Sequence, residues 1–196
     1  MKNKKRKIIF NFDRTETHND SKNIELYSVM KNKLENKQLS IIEYENILEA
    51  ALNRINIIGN IDFILIPDSD NKILEDICKK SKINYRIIKK NPVSEIIKQI
   101  IDKKNIQKSQ RQSILLKLEN KSKVKMADFN SSQRSLISRY LFQDKFIELL
   151  NTGNNILLLD DSMFSGYTLE ILEERLEMCN HKYKTLVLFG FEDEEY

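Results

Sequence analysis

Residues 155–169 read NILLLDDSMFSGYTL, from Asn155 through Asp160 and Asp161 to Leu169. Four apolar residues, Ile156 to Leu159, run straight into two adjacent carboxylates, and a short stretch with Ser165, Gly166 and Thr168 follows. A brief apolar run with polar residues on both sides reads as a strand buried on both faces, which is the habit of parallel sheets covered by helices. Ligands of open parallel sheets bind beyond the carboxyl ends of the strands. The stretch therefore predicts a strand over Ile156 to Leu159, an acidic loop carrying Asp160 and Asp161, and a helix from about Thr168 to Met178.

Adjacent carboxylates repel each other unless a metal ion or hydroxyl donors lie against them. Ser165, Gly166, Tyr167 and Thr168 would open the next helix. A helix amino terminus presents backbone N–H groups that have no partner inside the helix, which suits an anion. One short segment thus offers acceptors for a diol or a metal and, directly after, a cradle for phosphate. A sugar phosphate satisfies both halves.

Working outward, the apolar pattern alternates between the two periods. Lys7 to Phe12, Ile61 to Pro67, Ile83 to Ile88 and Thr185 to Phe189 read as strands. Helical spacing runs over Ile24 to Lys37, Ser40 to Ile57, Lys72 to Ser81, Asn91-Pro92 to about Ile101, and Leu136 to Leu150. Ser40 with Glu43 three residues on is a capping-box signature. Residues 103–135 are rich in Lys, Arg, Gln, Ser and Asn and read as a mobile or inserted region, helical only around Ile114 to Leu118. The alternation predicts an α/β protein with a parallel sheet flanked by helices. Residues 1–58 would form a small N-terminal strand and helical hood, and residues 59–196 the core with a polar lid at about 103–135.

Composition narrows the function. The chain has 196 residues, 40% of them hydrophobic, with Gly 4 and Pro 2, so it suits one helix-rich domain. Its formal charge of +4 is too mild to imply nucleic acid. The basic run Lys2, Lys4, Lys5, Arg6, Lys7 and the acidic run Glu192 to Glu195 read as solvated tails. Cys78 and Cys179 are far apart, with neither metal spacing nor a disulfide framework, which fits a reduced cytoplasmic compartment. No window approaches the ~20 apolar residues of a membrane span. His18 and His181 read as surface residues.

The 155–169 stretch resembles the signature of type I phosphoribosyltransferases, in which an apolar strand leads to two acidic residues and a loop ending in Thr/Ser-Gly-x-Thr. The layout is similar to the competence-type phosphoribosyltransferase-like proteins, without their N-terminal metal ribbon. The resemblance implies a parallel-sheet phosphoribosyltransferase-like fold and Mg²⁺-dependent chemistry on phosphoribosyl pyrophosphate or a nucleotide. Asp160 and Asp161 would be the catalytic pair, binding the ribose 2′- and 3′-hydroxyls and, indirectly, Mg²⁺. Ser165, Gly166 and Thr168, with the backbone of Phe164 and Tyr167, would hold the 5′-phosphate. Asp68, Ser69 and Asp70 would be the pyrophosphate and Mg²⁺ loop, with Lys89 or Lys90 as the basic residue after the second strand. Arg111, Lys123, Lys125 and Arg134 would belong to the lid. A homodimer is compatible with the resemblance, nucleic acid is the weaker partner, and no membrane is implied.

Three positions depart from that pattern. Phe164 stands where many purine enzymes of the family carry an acidic general base, Pro67 to Asp70 lacks a glycine, and Ser162 replaces a usual apolar residue. These departures leave open a catalytically inactive nucleotide sensor or partner-binding module. A second alternative comes from Ile8 to Thr15, which resembles the first motif of haloacid-dehalogenase-type phosphatases, with Ser69 as second motif and Asp160-Asp161 as the acidic pair. Its nucleophilic Asp would be Asn11, and an amide cannot form the phosphoenzyme.

Overall fold

The computed structural model describes residues 6–11, 22–30, 39–68, 72–103, 105–142, 154–163 and 166–190. Five strands, β1 (Lys7–Asn11), β2 (Phe63–Pro67), β3 (Tyr85–Ile88), β4 (Asn155–Met163) and β5 (Lys182–Gly190), form one sheet in the order β1-β5-β4-β2-β3. Every pairing in it is parallel. Among the described residues the helices are α1 (Lys22–Met30), α2 (Ile41–Ile58), α3 (Ile73–Ser81), α4 (Val93–Asp102), α5 (Lys108–Leu118), α6 (Ser131–Leu141) and α7 (Tyr167–Met178), with a 3₁₀ turn over Met126–Asp128. The protein is α/β with a parallel sheet flanked by helices, as the alternating periodicity predicts.

Successive strand residues point to opposite faces, so each central strand feeds two cores. Ile64 and Ile66 of β2, Leu157 and Leu159 of β4, and Leu186 and Leu188 of β5 join the buried faces of α2 and α3. Leu65, Ile156, Leu158 and Val187 join the apolar residues of α4, α5, α6 and α7. The described part of residues 1–58 joins this sheet and core. β1 pairs with β5 from Lys7↔Leu186 to Asn11↔Gly190, and Ile47, Leu48, Ala51 and Ile55 of α2 pack in the first cluster. Ser40 caps α2 as read: its Oγ accepts from the Glu43 amide at 3.2 Å, and its own amide donates to Glu43 Oε2 at 2.9 Å.

Four expectations are corrected. β4 does not stop at Leu159; it continues through Asp160↔Val187 and Ser162↔Phe189 to Met163↔Gly190. The partner strand β5 is equally long and apolar, and the ladder it offers outweighs the poor strand propensity of Asp. The acid pair therefore lies in a central strand, not in a loop. Residues 103–135 are helical well beyond Ile114 to Leu118. Ile114, Leu118, Val124, Met126 and Phe129 are buried in the second core, so this segment packs where a mobile region was expected. Its polar character misleads because its polar groups bury one another: Gln133, only 4% exposed, donates to Ser113 Oγ at 2.9 Å and accepts from Lys117 Nζ at 2.9 Å. His181 is buried, with its backbone amide bonded to the Leu176 carbonyl at 2.9 Å. Arg6 is not part of a solvated tail; its side chain is 10% exposed. Among the described residues no helix is long and apolar enough to cross a membrane.

Candidate functional site

The sheet order creates a switch point. β3 lies on one side of β2 and β4 on the other, so the connections after β2 and β4 diverge and leave a crevice at their carboxyl ends. A cleft of about 450 Å³ opens there. β2 supplies Pro67 and Asp68, the turn after β3 supplies Lys90 and Asn91, and β4 supplies Asp160, Asp161 and Ser162. The connection from α5 to the 3₁₀ turn supplies Ser122, Lys123 and Lys125. A second lobe of about 330 Å³ shares Lys90, Lys125, Asp160, Ser162 and Thr168 and adds Gly166 and Tyr167. Asp160 and Thr168 line both lobes, so the acids and the amino end of α7 face one continuous space.

Asp160 is 9% exposed and Asp161 3%. Local hydrogen bonds orient both carboxylates. The Asp161 amide donates to Asp160 Oδ1 at 2.8 Å, and Ser162 Oγ donates to Asp161 Oδ1 at 2.9 Å. The Tyr27 hydroxyl of α1 lies 3.4 Å from Ser162 Oγ. With the serine proton committed to Asp161, Tyr27 is the donor in that contact. A hydroxyl at residue 162 thus performs an orienting task that an apolar side chain could not.

Gly166 begins α7 with φ +66°, and its carbonyl accepts the Glu170 amide at 2.9 Å. Only glycine adopts that conformation without strain. A Cβ at this position would also lie 2.5 Å from Arg6 Nη1. Arg6 in turn is held by Glu173 of α7, with Nε to Oε1 at 3.0 Å and Nη2 to Oε2 at 2.8 Å. Thr185 Oγ1 of β5 donates to Glu173 Oε1 at 2.7 Å.

The structure brings together Asp160, Asp161, Gly166, Tyr167, Thr168 and Asp68 from the residues singled out in the sequence. Phe164, Ser165, Ser69 and Asp70 lie outside the described residues, as do His18 and Glu192 to Glu195. Of the two candidate lysines, Lys90 lines the cleft, whereas Lys89 is exposed and absent from its lining. Ile88 is buried at the end of β3 and Lys90 bridges to Phe142, a geometry that turns Lys89 outward. Lys123 and Lys125 also line the cleft. Arg134 stacks on Tyr167 with Cζ 4.2 Å from the ring centroid, and its Nε donates to the Met126 carbonyl at 3.0 Å. Arg111 bonds the Lys103 carbonyl instead. β1, which carries Asn11, stands at the sheet edge with β5 between it and β4, the strand of the acid pair.

Sequence reasoning missed Ser122, Asn91, Arg6 and Glu173. Arg6 was indistinguishable from its lysine neighbours, and Glu173 from any surface acid of a helix. Among the described residues no three His, Cys, Asp or Glu side chains form a metal-holding group. No protein-family model matches this chain, and no curated protein matches it.

Proposed function

We propose that the cleft binds a phosphorylated pentose, with phosphoribosyl pyrophosphate and Mg²⁺ the best-fitting ligand, and passes its phosphoribosyl group to a nitrogenous base. The observation that supports this reading is the shared lining: Asp160 and Thr168 border both lobes of one crevice at a switch point. Acids on β4 accept hydrogen bonds from ring hydroxyls. The first-turn amides of α7 and the Thr168 hydroxyl receive the monoester, whose negative charge the helix amino end favours. Lys90, Lys123 and Lys125 lie along the remaining wall, where they offset the charge of a departing pyrophosphate.

The donor chemistry fits Mg²⁺, which takes oxygen ligands and is commonly held by one or two carboxylates, with phosphate and water completing its shell. Asp160 and Asp161 would hold it, directly or through water. When bound it screens pyrophosphate charge. The chain's own part in the reaction is positioning: the acids hold the ring, α7 holds the phosphate, and the anomeric carbon is left facing the acceptor. Acid–base help from residue 164 is ruled out by chemistry, since a phenyl ring carries no exchangeable proton.

A second reading, binding without turnover, has one observation in its favour. Asp68 borders the cleft at the end of β2 and sets a carboxylate where pyrophosphate would lie. One experiment separates the two. Thermal shift with phosphoribosyl pyrophosphate and Mg²⁺ tests binding, and pyrophosphate release across a panel of nucleobases tests transfer. Asp160→Asn with Asp161→Asn should abolish the shift while the fold persists. An equal shift in parent and double variant removes the assignment, and a shift without release under any base favours the sensor.

A further inference from the structure

We infer that Arg6 is a positioning residue which holds the amino end of α7 in register with the carboxyl end of β4, and so keeps the phosphate half of the cleft aligned with the acid pair. The inference rests on the phosphate reading above.

Arg6 immediately precedes β1, an edge strand separated from β4 by β5. Its guanidinium is used on two sides. One edge makes the bidentate pair with Glu173, which is fully buried on α7 and is held in turn by Thr185 of β5. The other edge, Nη1, donates to Met163 Sδ at 3.4 Å and occupies the space that a Cβ on Gly166 would need. Met163 is the last residue of β4 and Gly166 the residue that starts α7. One rigid planar group therefore touches both ends of the β4–α7 connection while a second strand and the body of α7 grip it from behind.

A buried ion pair is a weak source of stability, because desolvating two charges consumes most of their attraction. Geometry is what it supplies: a forked pair fixes the plane of the guanidinium, where a lysine ammonium would leave a point charge free to swing. Arg6 does not itself border either lobe, so its effect on a ligand must pass through Met163 and Gly166. Its charge is balanced by Glu173, so its part is not that of a direct phosphate ligand.

The test uses the full chain with Arg6→Met and Glu173→Met together, which removes both charges and keeps apolar volume in their place, and Arg6→Lys as a second variant. Hydrogen exchange followed by mass spectrometry reads the peptide over 163–170, and calorimetry reads binding of ribose 5-phosphate. The double variant should speed exchange in that peptide at least tenfold, with β2 and the interior of β5 unchanged, and weaken ribose 5-phosphate at least tenfold. Arg6→Lys should show both effects at smaller size; it carries the test alone if the double variant does not fold. Unchanged exchange in 163–170 overturns the inference whether or not the parent binds the sugar. Faster exchange with unchanged affinity also overturns it, since alignment of the phosphate half is then not what Arg6 secures. If the parent fails to bind ribose 5-phosphate while exchange responds as stated, the phosphate reading falls and the contact between Arg6 and the strand–helix junction stands.

Discussion

Gly166→Ala should be far more destabilising than a methyl group at a helix start ordinarily is, and the excess should depend on Arg6. The first cost is conformational. Gly166 has φ +66°, and forcing a residue with a Cβ into that region costs roughly 1–2 kcal/mol. The second is steric. The new Cβ would stand 2.5 Å from Arg6 Nη1, where ordinary contact begins at 3.4 Å. The tip of an arginine usually swings away at little cost, but this one is tied to Glu173 at 2.8 and 3.0 Å. A retreat of nearly an ångström takes both bonds out of range beside a fully buried carboxylate. Hydrogen bonds to charged groups contribute roughly 1.5–3 kcal/mol each, so a partial loss adds about 2–3 kcal/mol. The sum, about 3–5 kcal/mol, corresponds to a fall in melting temperature of roughly 6–20 °C for a chain of this size. Scanning calorimetry of four proteins decides the matter: parent, Gly166→Ala, Arg6→Met/Glu173→Met, and the combination. In the background without the ion pair only the conformational cost should remain, leaving a coupling of at least about 1.5 kcal/mol. Additivity within about 0.5 kcal/mol would refute the steric half of the argument, because the same methyl would then cost as much with Arg6 absent.

Other outcomes follow from the same structure. Ser40→Ala removes the hydroxyl that accepts from the Glu43 amide, while the backbone amide keeps its bond to the Glu43 carboxylate; it should cost about 1 kcal/mol, a fall of roughly 2–4 °C, whereas Ser40→Gly should cost only a few tenths. Burial, followed by the nearby Glu75 carboxylate, pushes the Cys78 thiol from its ordinary value up to about 12. Its folded-state value therefore lies above its unfolded one, and the stability it contributes is complete below about pH 9 and lost as pH rises toward 12, by up to about 4 kcal/mol. Tyr44, raised to about 12 by burial and by its 2.5 Å hydrogen bond to Asp76, acts in the same direction. Melting temperatures should hold from pH 8 to about pH 9 and fall from there to pH 11, and Cys78→Ala should flatten that fall while lowering the value at pH 8. At pH 8 a thiol reagent should modify the half-buried Cys179 well before the fully buried Cys78, which mapping by mass spectrometry checks. Ser162→Ala removes the hydroxyl that donates to Asp161 and should weaken ribose 5-phosphate several-fold, while Ser162→Thr, which keeps the hydroxyl, should restore most of the affinity.

The parts of the fold that were legible were those with a single dominant period. The apolar runs Ile64-Leu65-Ile66 and Ile156 to Leu159 can only be strands covered on both faces, and the stripe Ile47, Leu48, Ala51, Ile55 can only be a helix lying on something apolar. The end of β4 was not legible, because pairing with β5 is a property of two segments and the carboxylates mark a boundary in only one of them. The region 103–135 failed for a related reason. α5 buries only Ile114 and Leu118 and reaches the core through polar pairs such as Gln133 with Ser113 and Lys117, which composition reads as solvent exposure. In the site, Asp160, Asp161, Gly166 and Thr168 were visible because their types are costly where they stand. The choice of Lys90 over Lys89 turned on one step of strand alternation, and Arg6 was hidden in a basic run whose other members carry the same local signal.

Placing the acid pair within β4 sharpens what it says about function. Two adjacent carboxylates in an exposed loop cost nothing and prove nothing. Inside the central strand, at 9% and 3% exposure, they are desolvated, mutually repulsive and poor strand formers. Valine or isoleucine there would extend the run Ile156 to Leu159 and pair as well with Val187 and Leu188. The sheet supplies donors to orient them, the Asp161 amide for one and the Ser162 hydroxyl for the other. Residues that break the local rule while their surroundings are built to hold them in place are characteristic of a site rather than of a scaffold. The same logic extends to Gly166 and Arg6: a left-handed glycine and a buried charge meet at one junction, an arrangement that makes sense if the position of the helix start matters to something that binds there.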